Sequence, residues 1–339
     1  MFLGINAGMF ERISIIGDGA MGSVCAMMLC GKGLDVVMWG FDSAQLRETA
    51  NKRENTKFLP GHSLPESLRY EPDDTRAMRD AQLVVSAIPC QFMRKIWRRL
   101  KGCCPDGVPI VSVTKGIEND TLLRPTEILA DILGTDRRYA ALSGPTIADE
   151  LAAGMPATAT VASVDFALAE SIQSTFNSSC FRVYTNDDII GVELCGAVKN
   201  VIAIAAGIID GVGLGDNAKA ALLTRGLAEI ARLGTALGAR QATFSGLSGL
   251  GDLVTTCISP KGRNRSFGQR VGSGMSASQA LAATQSVVEG ASTCSSVLEL
   301  AARRRVEMPI CEAVGCIIAG RKTVSEAISD LMSRQLKSE

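Results

Sequence analysis

Histidine is nearly absent from this chain: 339 residues carry one, His62, in the turn-like sequence Leu59-Pro60-Gly61-His62. Ser-His-Asp or Cys-His catalysis would have to use that one residue, and no G-x-S-x-G elbow accompanies it. A His-rich metal site is excluded, so no metal is expected. His62 reads as a loop residue rather than a general base, which leaves proton transfer to Lys, Asp or Glu. Net charge is absent as well, with Lys+Arg and Asp+Glu at 35 each, so no global field draws in nucleic acid or an anionic membrane. Any anion must meet a local cluster. Residues 1–10 lack a cationic segment and do not read as a signal peptide. No C-x-x-C pair occurs among the 11 cysteines, which argues against a zinc or thioredoxin-like site. They read as small buried hydrophobes of a reducing cytosol.

What is present is ordinary globular material, 46% hydrophobic and 21% charged, long enough for two domains with cores of their own. The first half alternates short Val/Ala/Ile-rich strands with helices, at 13–16, 34–39, 83–88, 108–114, 139–143, 157–164 and 181–184. That is the pattern of an α/β, doubly wound Rossmann-type sheet. From residue 189 onward no strand is expected. Ala/Leu/Ile-rich segments at 189–209, 217–238, 277–301 and 311–333 predict an all-helical domain. The expected division is 1–188, dinucleotide-binding, and 189–339, substrate-binding and catalytic. The run 192–209 is long and apolar, but Glu193, Lys199 and Asn200 argue for a core helix over a membrane span.

Three segments carry chemistry. In the first, Arg12-Ile-Ser-Ile-Ile-Gly17-Asp-Gly19-Ala-Met-Gly22, an apolar strand runs straight into G-x-G-x-x-G and then into a helix. Gly17 permits the turn, Gly19 lets backbone approach a pyrophosphate, and Gly22 lets helix pack on strand. The helix N-terminus adds free N–H groups and a positive dipole end. Asp42 follows Gly22 at the roughly 20-residue spacing of a ribose-binding acid. It fits a helix N-cap with Gln45 as capping partner equally well. In the second segment, Lys199 stands in an apolar stretch with no carboxylate at i±4. It is either a catalytic lysine made acidic by desolvation or a snorkelling one. The third, Ser245 to Gly268, reads as a glycine-studded loop with Lys261, Arg263 and Arg265 within five positions. It suits either phosphate or solvent.

Together these motifs resemble the soluble NAD(P)-dependent glycerol-3-phosphate dehydrogenase family, over about residues 11–330. Gly17 to Gly22 looks like its cofactor turn. Residues 55–65 are similar to its surface loop after the second strand, and Pro89-Cys-Gln-Phe92 to its turn after the third. Thr114-Lys115-Gly116 and Ser143-Gly144-Pro145-Thr146-Ile147-Ala148-Asp149-Glu150 look like its substrate- and nicotinamide-side motifs. Cys195 to Ala203 resembles the helix of its catalytic lysine. Gly251-Asp252-Leu253 with Gly262-Arg263-Asn264-Arg265 resembles its phosphate loop, and Val287-Val288-Glu289-Gly290 its closing contact to the cofactor.

The resemblance implies reversible reduction of dihydroxyacetone phosphate to sn-glycerol 3-phosphate, serving glycerophospholipid synthesis, in a cytoplasmic homodimer. It implies Lys199 as the acid/base, with Lys115 and Asp252 beside it. Substrate would contact Lys115, Gly144, Thr146, Lys199, Asp252, Thr256, Gly262, Arg263 and Asn264. The cofactor would contact Gly17, Asp18, Gly19, Ala20, Met21, Gly22, Phe41, Phe92, Lys115, Ala148, Arg263, Val287 and Glu289. Two positions depart from the pattern. Gly262 stands where many bacterial members have Ser. Phe41 stands where many NADP-using members have Arg or His, so NAD is the expected coenzyme, with NADP as an alternative. Two other classes stay open. A ketopantoate-reductase-like enzyme would not need Arg263 and Asn264; a non-catalytic dinucleotide-binding module would not need Lys199, Asp252 and Lys115 together.

Overall fold

In the computed structural model, which describes residues 8–284 and 287–336, the Ile-rich run becomes a central strand, β1 (Arg12–Ile16). Ile13, Ile15 and Ile16 are all buried, as expected of a strand covered on both faces. The other strands are β2 (Asp35–Trp39), β3 (Arg69–Tyr70), β4 (Leu83–Ser86), β5 (Ile110–Ser112), β6 (Tyr139–Ser143), β7 (Ala157–Ala162) and β8 (Phe181–Asn186). They form one eight-stranded sheet in the order β3-β2-β1-β4-β5-β6-β7-β8. Pairing is parallel throughout except between β6 and β7. Order reverses at β1, which has β2 on one side and β4 on the other. In open α/β sheets this is where a ligand finds a crevice beyond the strands' carboxyl ends.

The chain divides into two compact units, residues up to Lys115 with Arg124–Val192, and Gly116–Leu123 with Glu193 onward. Helices of the first unit are α1 (Ala20–Gly31), α2 (Ser43–Lys52), α3 (Cys90–Leu100), α4 (Pro125–Leu133), α5 (Ala148–Ala152) and α6 (Phe166–Phe176). Its core joins Val24, Leu29, Val36, Leu83, Val85, Ile172 and Phe176, among others. The expectation for residues 1–10 falls mostly outside the described residues.

The second unit is built on α7 (Ile189–Val212), whose residues Val192 to Ala206 are all buried. It is long and apolar enough to cross a membrane, yet 89% of its most apolar window is covered by protein, as for the core helix of a globular fold. Around it come α8 (Gly215–Ala236), α9 (Gln241–Phe244), a π-helical turn (Leu247–Gly251), α10 (Asp252–Ile258) and α11 (Arg263–Gly272). Then follow α12 (Ala277–Ala282), α13 (Glu289–Arg304), α14 (Pro309–Ile318) and α15 (Val324–Met332). Ser245 to Gly268 is therefore mostly helical, not the loop its glycines suggest. Several of those glycines make helix contacts instead. A Cβ on Gly268 would lie 2.0 Å from the Ile204 carbonyl, and one on Gly249 2.1 Å from that of Phe244. Gly207 and Gly211 on α7 face Arg265, Gln269 and Gly272 on α11 in the same way, so the two helices meet backbone to backbone. The segments expected at 277–301 and 311–333 each break into two shorter helices.

Candidate active site

At the end of β1 the three glycines do different things. Gly17 has φ of 121°, and a Cβ there would strike the Ala87 carbonyl at 2.7 Å. Gly22 carries its Cα so close that a Cβ would sit 2.0 Å from the Gly17 oxygen. Gly19, by contrast, faces open space, with nothing within 4 Å of its would-be Cβ. This is a turn closed on two sides and open on the third, at the start of α1, and it fits a pyrophosphate. The turn is braced from outside. Asn55, 1% exposed, donates from Nδ2 to the Asp18 carbonyl (2.7 Å) and to Ser23 Oγ (2.9 Å). Asn55 is thus buried, not part of a surface loop. Asp42 caps α2, its Oδ1 accepting from Ala44 N (2.9 Å) and Gln45 N (3.2 Å), while the Gln45 amide turns to Thr49 and closes no capping box. One oxygen of the supposed ribose acid is thereby spent on a helix. Burial pushes the Asp18 carboxyl up from its ordinary pKa.

Farther along the sheet's carboxyl edge, Lys115 Nζ donates to the Gly144 carbonyl at 3.0 Å and Thr146 Oγ donates to the same oxygen at 3.1 Å. Gly144 has φ of 153°, and a Cβ on it would meet Ala159 Cα at 2.8 Å. Thr114 Oγ donates to Ile88 O at 2.7 Å, tying the loop after β5 to the loop after β4. Phe92, on the first turn of α3, is half exposed. The lone histidine pairs through Nε2 with Asp149 Oδ1 (2.8 Å), clasping the 53–65 loop to α5. That Asp149 stands one residue beyond Ala148.

In the second unit, Lys199 is 5% exposed and does not snorkel. Its Nζ donates to Asp252 Oδ1 and to Thr256 Oγ, both at 2.6 Å. Thr256 Oγ donates in turn to the Asp252 carbonyl (2.7 Å), one turn back on α10. Asp252 is 2% exposed. The counter-ion missing from Lys199's own helix is supplied by α10, and the amine is held in a fixed direction by two acceptors.

Arg263 and Asn264 open α11. Asn264 is buried, and its Oδ1 accepts from Gly290 N at 2.9 Å, which joins the start of α11 to the start of α13. A Cβ on Gly290 would lie 2.5 Å from the Asn200 carbonyl, so α13 reaches Asn264 only because that residue has no side chain. The Asn264 Nδ2 group has no protein hydrogen-bond partner among the described residues. Arg263 Nη1 reaches the Val287 carbonyl (3.2 Å) and leaves its other donors open, among the described residues. Arg265, two positions on, is turned inward to an ion pair with Asp210 at 2.5 Å, which Lys219 also joins. The basic cluster therefore splits, with Arg265 tying α11 to α7 and Arg263 with Asn264 at the anion-attracting N-terminus of α11. Gly262 is the N-cap, and a Cβ there would press on the Thr256 and Ser259 carbonyls at 3.2 and 3.3 Å. Glu289 is the first residue of α13.

Residues 12–169 match the model of the NAD-dependent glycerol-3-phosphate dehydrogenase N-terminus, and residues 188–329 match that of its C-terminus. The chain belongs to the NAD-dependent glycerol-3-phosphate dehydrogenase family. Among the family's members it is 45% identical to the glycerol-3-phosphate dehydrogenase [NAD(P)+] of Geobacter sp. strain M21, over 98% of this chain and 99% of that one. It is 44% identical to the Streptomyces coelicolor enzyme of the same name, over 97% and 98% of the two chains. The crystal structure of the Coxiella burnetii glycerol-3-phosphate dehydrogenase superposes with a TM-score of 0.92 at 36% identity, covering 96% of this chain and 99% of that chain. A ketopantoate reductase from Ralstonia eutropha, 13% identical with a TM-score of 0.56 over 91% and 97% of the chains, shares the fold alone.

As a family member the chain is an oxidoreductase that uses NAD(P). Sequence reasoning passed over two contributors to the site. Asn55 looked like loop material, because nothing beside it in the chain marks an amide that braces a turn 32 to 37 positions away. The close approach of Gly290 to the Asn200 carbonyl left no sequence signal, because it depends on how closely two helices approach.

Proposed function

We propose that this chain catalyses the reversible, NAD(P)H-dependent reduction of dihydroxyacetone phosphate to sn-glycerol 3-phosphate. The observation that carries the reading is the buried Lys199–Asp252–Thr256 cluster, in a chain whose G-x-G-x-x-G turn fits a dinucleotide pyrophosphate. When bound, the nicotinamide supplies the hydride or accepts it. Reduction places growing negative charge on the substrate C2 oxygen, and Lys199 is the group assigned to stabilise and protonate it. Asp252 and Thr256 hold the amine in one direction, so no reorganisation is needed when the proton moves. Arg263 and Asn264 clamp the substrate phosphate, a remote handle that turns binding energy into orientation of the carbonyl. Lys115 is the first unit's cation in this scheme, held by the Gly144 carbonyl with Thr146 alongside.

The same reading assigns the cofactor to Gly17–Gly22, Phe41, Phe92, Ala148, Val287 and Glu289, and the protein to a cytoplasmic homodimer feeding glycerophospholipid synthesis. The test is a steady-state assay of NADH and NADPH oxidation with dihydroxyacetone phosphate, paired with a fluorescence titration of NADH with and without that substrate. Turnover and synergistic binding are expected. NADH binding without turnover of dihydroxyacetone phosphate would return the chain to a non-catalytic dinucleotide module.

A further inference from the structure

Phe41 lies two residues past the end of β2, where a doubly wound fold meets the adenosine ribose, and its ring is half exposed. It offers no charge of its own, but two cations from α3 stand over it. Lys95 Nζ is 5.9 Å from the ring centroid, and the Arg99 guanidinium carbon is 5.7 Å away. Arg99 is not loosely placed. It binds Asp74 through Nε (2.7 Å) and Nη2 (2.8 Å), and the same carboxylate accepts from the indole Nε1 of Trp39 (3.0 Å), the last residue of β2. The guanidinium also stacks 5.5 Å from the Trp39 ring. Asp74 therefore pins Arg99 to the end of β2 and leaves its Nη1 uncommitted among the described residues. Lys95 is exposed and has no carboxylate within ion-pair distance among the described residues. Of the nearby acids, Asp74 is held by Arg99, and Asp42 gives Oδ1 to the α2 cap. Asp18 lies against Gly40, whose Cβ would fall 2.5 Å from its carboxylate.

We propose that Lys95 and Arg99, flanking Phe41, form the subsite for the 2′-phosphate of NADP(H), so that the positive charge lacking at position 41 comes from α3. The chain then takes NADPH as well as NADH, and the choice between them is set on α3. This rests on the dinucleotide occupying the glycine turn, as proposed above. Phe41 is the apolar floor against which both cationic side chains lie. A phosphate monoester beside them gains two charge-assisted contacts that a 2′-hydroxyl cannot make.

The experiment is equilibrium binding of NADPH and NADH, followed by their own fluorescence, to the parent protein and to Lys95→Ala and Lys95→Ala/Arg99→Ala, with 2′,5′-ADP and 5′-AMP as competitors. Each lost contact should weaken NADPH and 2′,5′-ADP roughly 10-fold. NADH and 5′-AMP should bind Lys95→Ala as they bind the parent. Because Arg99 also braces Trp39, Lys95→Ala carries the decision: Lys95 is exposed on α3 and makes no hydrogen bond or ion pair among the described residues. An NADPH-to-NADH affinity ratio unchanged by Lys95→Ala, with NADH binding intact, overturns this subsite alone. A parent protein that binds neither coenzyme overturns the dinucleotide reading, and the subsite with it.

Discussion

Replacing Lys199 by Ala separates chemistry from stability, because the two losses have different remedies. Lys199 and Asp252 form an ion pair at 2.6 Å with side chains 6% and 2% exposed, so solvent screens it little. Removing the amine takes away the cation 2.6 Å from the buried Asp252 carboxylate, a defect of about 3–5 kcal/mol. In a unit of this size the melting temperature should fall by on the order of 10 °C. Losing a positioned proton donor should slow hydride transfer by roughly 100- to 10,000-fold, about 2.7–5.5 kcal/mol of barrier. The double variant Lys199→Ala/Asp252→Asn replaces the buried carboxylate by a neutral amide, so it should recover much of the lost stability and none of the rate. The assay is stopped-flow oxidation of bound NADH on mixing with dihydroxyacetone phosphate, at NADH saturation and below both melting temperatures. NADH affinity should be retained throughout, and small primary amines should rescue part of the rate in Lys199→Ala. Hydride transfer near the parent rate in either variant, or a rate that recovers along with stability, would show that Lys199 is structural and would move the acid role to Lys115.

Arg263→Ala should raise KM for dihydroxyacetone phosphate strongly and lower kcat/KM by roughly 2–4 kcal/mol, with inorganic phosphate competing in the parent enzyme; steady-state kinetics check both, and an unchanged KM rejects the clamp. Glu229, buried on α8 and accepting from Ile310 N (2.7 Å) and Cys311 N (3.2 Å) at the start of α14, has its pKa pushed by burial up to about 6 from 4.5. A folded pKa above the unfolded one means its stabilising share is full below pH 4.5 and is lost as pH rises through about 6, on the order of 2 kcal/mol in all. Glu229→Gln should flatten that part of the stability profile in urea unfolding at pH 4.5, 5.5 and 7; a slope as steep as the parent's refutes it. His62→Ala removes only a partly exposed pair with Asp149, worth under about 1 kcal/mol, so kcat should stay within a factor of about two across pH 6–8. A large loss of rate there would restore histidine as a candidate base.

The glycine turn was legible because it depends on covalent spacing: strand, G-x-G-x-x-G and helix are adjacent in the chain, and the close contacts of Gly17 and Gly22 follow from position alone. The strands with runs of Val and Ile were legible for the same reason. β3 was not, since two residues, Arg69 and Tyr70, carry no periodicity. The larger error lay at Ser245–Gly268. There the glycines were read as loop positions that let backbone approach a phosphate, whereas Gly249 and Gly268 are contact surfaces, Gly249 against Phe244 nearby and Gly268 against Ile204 on a helix far back in the sequence. Lys199 could be picked out as anomalous, but its partner could not be found by local pairing rules, because Asp252 comes from 53 positions away. Phe41 shows the limit from the other side: the cations beside its ring, Lys95 and Arg99, belong to a helix that position-by-position reading does not consult.

The glycine contact between α7 and α11 also acts as a gauge. Lys199 projects from α7, and Arg263 with Asn264 begin α11. Between those helices, Gly207, Gly211, Gly268 and Gly272 leave no side chain to act as a compressible spacer. The spacing of the two backbones that carry Lys199 and Arg263 is therefore set by main-chain thickness and helical rise. On the proposed reading, with Lys199 at the carbonyl and Arg263 at the phosphate, that fixed backbone spacing favours one carbonyl-to-phosphate length in the substrate, a preference no side-chain replacement on the glycine seam could supply.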